Sequence, residues 1–403
     1  MNPLTDPLPI DVLRENFRAH AGDGPVVITS PTGSGKSTHV PRWCEGRVLV
    51  VEPRRLACRA LAARVAELES SSVGGSVGYS VRDEHRADEH TRVLFVTPGV
   101  ALRMFSEWSR FDHVVLDEFH ERALDTDLLL ALFLKRAGRG TKLTVMSATL
   151  EGDRVAAHLG GRHLRAEART FPITTHYLGD ERAQLPTPER LEDRVRRALD
   201  ACRGDPGDVL VFLPGKAEIH DCARALRPRG GVDLVTLRGE LSLDEQRRAF
   251  APSARRKVVL ATNVAETSVT IPGIGVVIDA GLVRQTRYRA GRAALTLVPV
   301  AQDSADQRAG RAGRTGPGVC YRLWSPAAKL SPVTAPEVFR ESLVPLVLAA
   351  AACGETPERL PWLDAPKEHA LTAAREELRA LDALDAQGAL TPRGRELFGL
   401  PLD

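Results

Sequence analysis

Nine consecutive residues, Ser30-Pro31-Thr32-Gly33-Ser34-Gly35-Lys36-Ser37-Thr38, combine the types that a phosphate chain requires. Glycines let the backbone curl closely enough to aim several N–H groups at one anion, and a following helix adds the positive end of its dipole. Lys36 is expected to reach the β- and γ-phosphates, and the Ser37 hydroxyl to ligate Mg²⁺. The first position of the G-x-x-x-x-G-K-[ST] pattern is Ser30, a small residue that the turn should tolerate. Such a loop needs an acidic partner at the end of a neighbouring strand, and His113-Val-Val-Leu-Asp117-Glu118-Phe119-His120 supplies one. Asp117 is expected to hold the metal, and Glu118 to orient and deprotonate an attacking water. A carboxylate pair ending an apolar strand can also be a plain helix cap. The phosphate loop upstream weighs against that.

A second charged motif lies far downstream. Gln307-Arg308-Ala309-Gly310-Arg311-Ala312-Gly313-Arg314 places Arg311 and Arg314 three apart. On the helix expected there, both guanidinium groups share one face. Phosphoryl transfer gains most from positive charge set where the transition state builds negative charge. Each glycine inside a helix costs about 1 kcal/mol relative to alanine. Two of them therefore suggest that another surface approaches closely.

Positioning these residues calls for parallel sheets. Apolar runs at Pro25 to Thr29, Arg47 to Val51, Val93 to Val96, His113 to Leu116 and Leu143 to Met146 read as buried strands. They alternate with helix candidates such as Leu56 to Leu68 and Leu124 to Arg136. The rhythm pauses near Thr170 and resumes with Val209 to Leu213, Val232 to Leu237, Lys257 to Ala261 and Gly275 to Asp279. The expected fold is α/β, with two tandem parallel-sheet domains over 1–170 and 171–327. A β-hairpin is expected from Leu282 to Val300 with its turn at Ala290-Gly291-Arg292, and a small helical segment ending in a short wing-like piece over 328–403. Within the last, Ala370 to Leu384 has helical periodicity, and Leu343 to Cys353 reads as a buried helix ended by Gly354.

Composition narrows the class. The apolar fraction of 43% is ordinary, and 403 residues suffice for two or three domains. A net charge of +3 is too mild to require a polyanionic partner by itself. The six cysteines include no C-x-x-C pair, which argues against a zinc site or a secreted disulfide framework and fits a reducing cytoplasm. No apolar run reaches the roughly 18 residues that a membrane span needs, and the N-terminus does not look like a signal peptide.

The ordered set SPTGSGKST, EPRRLACRALAARVA, the Thr97-Pro-Gly turn, DEFH, Ser147-Ala-Thr149, VFLPG, TNVAETSVTIPGIGVVIDAG and QRAGRAGRTGPG resembles the DEAH-box helicases of superfamily 2. Phe119, where alanine is usual, looks like the bacterial HrpB-type branch. The resemblance runs from about Leu8 to the last residue. It implies that the two α/β units are RecA-like domains and that 328–403 is a small winged-helix domain. It implies also an ATP-dependent RNA helicase that hydrolyses ATP with Mg²⁺ between two domains and steps 3′ to 5′ on single-stranded RNA. Gln307 would sense the γ-phosphate, Arg311 and Arg314 would act as arginine fingers, and Asp279 would lie near the ribose. Arg64 and Phe250 would sandwich the base, and His120 with Ser147-Ala-Thr149 would couple hydrolysis to movement. RNA would be tracked through its backbone by Arg54, Arg55, Arg82, Thr97, Thr262, Asn263 and Thr270. The hairpin would separate strands, and the chain, expected to be a monomer, would stop before the family's helical ratchet domain. Two alternatives stay open: a DNA translocase with the same machinery, and a nucleotide-gated RNA clamp that needs a partner to unwind. A P-loop kinase or transport ATPase would not need a second α/β unit ending in QRAGRAGR.

Overall fold

The structure, a computed structural model, describes residues 8–136, 140–148, 151–167, 171–179, 185–226, 232–237, 248–266, 271–289, 292–314 and 316–400. The chain divides into two compact units: Met1–Ala168 together with Ala335–Asp403, and Arg169–Thr334.

In the first unit, α1 (Arg14–His20) precedes β1 (Val26–Thr29). There follow α2 (Lys36–Trp43), β2 (Val48–Val51), α3 (Arg55–Leu68), β3 (Val77–Val81), β4 (Glu84–Arg86), β5 (Val93–Val96), α4 (Pro98–Arg103), β6 (His113–Leu116), α5 (Leu124–Lys135), β7 (Lys142–Ser147), α6 (Gly152–Leu159) and β8 (Arg162–Arg165). The sheet runs β4-β3-β5-β2-β6-β7-β1-β8. Every neighbouring pair is parallel except β3 with β4. Its central strands are buried on both faces, which is why they read as continuous runs rather than alternating ones. The period of two still sorts them. Val27, Leu49, Val51, Val114 and Leu116 enter one core with α5, while Val26, Ile28, Val48, Val50 and Val115 enter another with α3.

The second unit holds β9 (Ile173–Tyr177), α7 (Leu191–Ala201), β10 (Asp208–Phe212), α8 (Lys216–Leu226), β11 (Val232–Leu237), β12 (Arg256–Ala261), β13 (Ile274–Asp279), β14 (Leu282–Arg289), β15 (Arg292–Pro299), α9 (Gln302–Ala309) and β16 (Gly318–Arg322). Its sheet runs β11-β12-β10-β13-β16-β9, with all neighbouring pairs parallel. β14 and β15 form the antiparallel hairpin that the alternating runs suggested. Ala290 and Gly291 of its turn lie outside the described residues.

Three departures from the sequence expectations have clear causes. First, β8, β9 and β16 carry no continuous apolar run. β8 and β9 are edge strands with mostly exposed side chains, and Gly318 opens β16 behind a glycine-rich motif. Second, α9 ends at Ala309, so Arg311 and Arg314 sit in the turn after it and not on a shared helix face. Gly313 marks a close approach: a Cβ there would meet the Phe171 carbonyl at 2.9 Å and Ile173 Cγ1 at 2.8 Å. Third, the segment expected as a separate domain from 328 groups with the first unit from Ala335 onward. Its helices are α10 (Val344–Ala352), α11 (Glu368–Ala380) and α12 (Pro392–Gly399). Leu346, Val347, Ala350, Leu371, Ala374 and Leu378 join the α5 face of the first sheet in a single core. An almost wholly apolar helix such as α10 cannot be covered by two short amphipathic helices alone, so it is buried against the larger sheet.

Candidate functional site

The phosphate-loop candidates follow the carboxyl end of β1, and the other first-unit candidates follow β2, β3, β5, β6 and β7. This is the edge at which parallel α/β sheets collect their ligands, because the loops there lead into helix N-termini. Gly33 (φ 87) and Gly35 (φ 94) hold the loop in left-handed conformations, and Gly35 is the N-cap of α2. The loop rests on the N-terminal segment. The Ile10 N–H donates to the Ser34 carbonyl at 3.2 Å, and a Cβ on Gly35 would meet Leu8 Cδ1 at 2.4 Å. Thr38 Oγ1 turns back to the Gly35 carbonyl at 3.1 Å. Thr32 and Ser37 lie in the same loop-to-helix turn, and Ser34 Oγ is buried with no hydrogen-bond partner among the described residues.

Lys36 is buried, and its Nζ donates to Glu118 Oε1 at 3.1 Å. Glu118 adopts a left-handed φ of 49° straight after β6 and Asp117, which is uncommon for a residue with a Cβ. Its other oxygen lies 3.3 Å from His120 Nδ1, and that nitrogen lies 3.4 Å from the backbone N–H of Ala148. The DEFH turn and the segment beginning at Ser147 are thus in contact, while Thr149 lies outside the described residues. Burial would raise the proton affinity of Glu118, but the Lys36 charge, helped by the neighbouring His120, outweighs it and holds the carboxyl below its usual range. Asp117 is pushed the other way by burial and then by the Glu118 charge, against the pull of Lys36 and the nearby Ser37 hydroxyl. Two adjacent carboxylates are therefore separated in proton affinity by their surroundings, as a site with distinct acid–base roles requires.

Asp117 Oδ1 accepts the Glu118 N–H, and Oδ2 is buried with no hydrogen-bond partner among the described residues. One unspent carboxylate oxygen beside a hydroxyl suits a hard divalent cation whose remaining ligands come from phosphate and water. Among the described residues no group of three or more His, Cys, Asp or Glu could hold a metal ion by itself.

Glu52 escaped the sequence analysis. It ends the apolar run of β2 as Asp117 ends that of β6, and Val51 pairs with Leu116, so the two acids fall side by side. Glu52 is wholly buried, and burial together with Asp117 and Glu118 pushes its carboxyl well up. The available signal was the repeated pattern of a buried strand closing on a carboxylate.

The candidates for nucleic acid are more dispersed. Arg54 pairs with Glu121 at 2.8 Å and precedes α3, while the half-buried Arg55 begins that helix. Arg82 is at the tip of the β3–β4 hairpin, 3.6 Å from Asp83. Thr97 is the N-cap position of α4 and is buried. Arg64 lies on α3 and pairs with Glu67 at 2.5 Å. In the second unit, Thr262 and Asn263 follow β12, Phe250 packs partly buried against a core cluster, and Thr270 lies outside the described residues.

The second unit's motif is built around a residue that sequence reasoning passed over. Arg308 is buried, with Nε on Glu266 at 3.0 Å and Nη1 on Asp279 at 2.9 Å. Asp279 has no exposed surface, and its Oδ1 also accepts the Gly281 N–H. Through Oδ1 it braces the interior, and its Oδ2 is buried with no hydrogen-bond partner among the described residues. Gln307 is half-buried on α9, Arg311 Nε donates to the Glu266 carbonyl at 2.8 Å, and the half-buried Arg314 ends the turn.

Comparison with known proteins agrees with this organisation. Residues 15–157 match the DEAD/DEAH box helicase family, and residues 191–316 match the helicase conserved C-terminal domain. The chain is 39% identical to the ATP-dependent RNA helicase HrpB of Escherichia coli (strain K12) over 94% of its own length and 49% of that protein. It is 34% identical to the ATP-dependent RNA helicase HrpA of the same organism over 99% of its length and 33% of that protein. The crystal structure of Escherichia coli DEAH/RHA helicase HrpB superposes with a TM-score of 0.89 and 37% identity, over 97% of this chain and 52% of that one. The chain thus spans about half the length of the HrpB relative and about a third of the HrpA relative.

Proposed function

The chain belongs to the DEAD/DEAH box helicases, and from that premise we propose that it is an RNA-stimulated ATPase that moves 3′ to 5′ on single-stranded RNA. The observation that carries the hydrolytic part is the 3.1 Å contact of Lys36 with Glu118 beside a positive-φ glycine loop. In the resting arrangement the lysine neutralises the carboxylate. An incoming triphosphate competes for Lys36 and frees Glu118 to take a proton from water. The backbone N–H groups from Gly33 to Thr38 receive the phosphates, and Ser37 with Asp117 would hold Mg²⁺, which neutralises charge on the phosphate oxygens. His120 orients Glu118 and carries the change to the segment after β7. Gln307, Arg311 and Arg314 are assigned to the same phosphates because of their place in QRAGRAGR, and Arg64 and Phe250 to the base. Arg54, Arg55, Arg82, Thr97, Thr262 and Asn263 are assigned to the RNA backbone on motif position and on their location after strands.

The test is ATP hydrolysis at fixed salt with and without single-stranded RNA, since phosphate-driven affinity is salt-dependent. Lys36→Ala and Glu118→Gln should each lower kcat about a hundredfold or more. Wild-type rates in both variants would remove this function. Equal stimulation by DNA of the same length would replace RNA with nucleic acid in general, because only RNA offers the 2′-hydroxyl.

A further inference from the structure

The turn that carries Glu118 is held in place by residues more than two hundred positions downstream. Glu118 and Arg122 both have φ 49°, and a single 3₁₀ turn, Phe119–Glu121, lies between them. Two left-handed residues with side chains do not hold such a turn unaided; the surroundings must over-determine it. Arg122 is where they do so. Its guanidinium donates to both Asp127 oxygens, at 2.8 and 3.0 Å, and to Asp364 Oδ2 at 2.7 Å. Its carbonyl accepts the Glu337 N–H at 3.0 Å, and the Glu337 carboxylate accepts the N–H of Leu124, the first residue of α5, at 2.9 Å. Arg154 holds the other Asp364 oxygen at 2.5 Å. The Arg122 guanidinium also lies 5.5 Å from the ring centroid of Phe119, which is buried between Glu118 and His120.

We infer that Asp364 and Glu337 are positioning residues for hydrolysis: through Arg122 they keep the Glu118 turn in its left-handed, Lys36-bonded form. The segment from Ala335 onward thereby sets kcat without touching nucleotide. Arg122 is already paired with Asp127 in the first turn of α5, so the downstream carboxylates are not needed to neutralise it. What they add is a connection between the catalytic turn and α10 to α12. Displacing those helices slackens the turn.

The kinetic part rests on the proposed hydrolysis, and the geometric part does not. The experiment compares the full chain with Asp364→Ala, Glu337→Ala and Leu371→Ala. Leu371 is a buried core residue of α11 outside this hydrogen-bond set, and its truncation reports what general loosening of the segment does. Amide hydrogen exchange is read over residues 118–122 and 30–38, with Tm and steady-state ATP hydrolysis. The two carboxylate variants should exchange faster at 118–122 and unchanged at 30–38. Their kcat should fall about tenfold while KM for ATP stays within about twofold. Leu371→Ala should lower Tm without this pattern. Wild-type exchange at 118–122 in both carboxylate variants, or the same pattern in Leu371→Ala, overturns the inference. If the unaltered chain hydrolyses no ATP, the proposed function falls, and the exchange comparison alone decides between the two outcomes.

Discussion

Each unit buries a cluster of opposite charges beside its sheet, and the two clusters are finished differently. In the second, two carboxylates face one guanidinium: Arg308 spends its donors on Glu266, Asp279 and the Leu282 carbonyl, and Asp279 Oδ2 is the buried oxygen left without a hydrogen-bond partner among the described residues. In the first, Lys36 meets Glu118, while Asp117 Oδ2 and Ser34 Oγ remain without hydrogen-bond partners among the described residues. Three carboxylates, Glu52, Asp117 and Glu118, crowd one lysine there, and burial with mutual repulsion pushes two of them up. The second cluster is a brace that fixes the turn bearing Arg311. The first, the more open of the two, carries an excess of carboxylates over cations and keeps hydrogen-bonding capacity that a triphosphate and a cation would satisfy.

Discharging one residue in each cluster gives the strongest test of that contrast. Arg308→Met leaves Glu266 and Asp279 buried without their cation and should destabilise by about 3–5 kcal/mol. Asp117→Asn removes a carboxylate whose proton affinity is raised in the folded chain, so the charged form is disfavoured there at neutral pH. It should leave stability unchanged or higher while removing Mg²⁺-dependent nucleotide binding. Denaturant unfolding of both variants checks the pair, and equal losses would erase the distinction.

A smaller effect is expected at the glycine hinge of the open cluster. Gly35→Ala forces a Cβ into φ 94° and onto Leu8, costing about 1–3 kcal/mol of strain. Nucleotide affinity, measured by equilibrium titration, should fall more than Tm does. Gly310, whose added Cβ would approach nothing closer than the Gln307 carbonyl at 3.2 Å, provides the comparison in the second unit.

The mildest probe is acid. His113 opens β6, is buried, bonds Thr144 Oγ1 at 2.8 Å, and has its proton affinity lowered by burial to about 4. Below the unfolded value near 6.5, the unfolded chain binds a proton that the folded one refuses. Stability therefore falls as pH drops from about 6.5 to 4, by up to about 3 kcal/mol. His113→Gln, which can still bond Thr144, should flatten Tm across that window. If the slope is unchanged, the acid response comes from elsewhere.

How much of this was legible in advance varied with how local the cause was. The phosphate loop, the DEFH turn and the central strands announce themselves, because glycine conformation, strand burial and helix N-termini are set within a few residues. The edge strands β8 and β9 were invisible, since an exposed edge needs no apolar run. Arg311 and Arg314 were placed on a helix because spacing alone does not reveal where Gly310 and Gly313 end it. Glu52, Arg308, Asp364 and Glu337 acquire meaning only from partners distant in sequence.

The sequence by itself determined the chemistry on offer: which backbone can wrap phosphate, which carboxylates end strands, and the order of the motifs. Tertiary structure alone decided which charges are spent on one another and which stay available. It also decided that the last helices belong to the core of the first unit. Pairing of buried charge depends on register and on the covering of apolar faces, and both are settled by contacts between segments that no local pattern encodes.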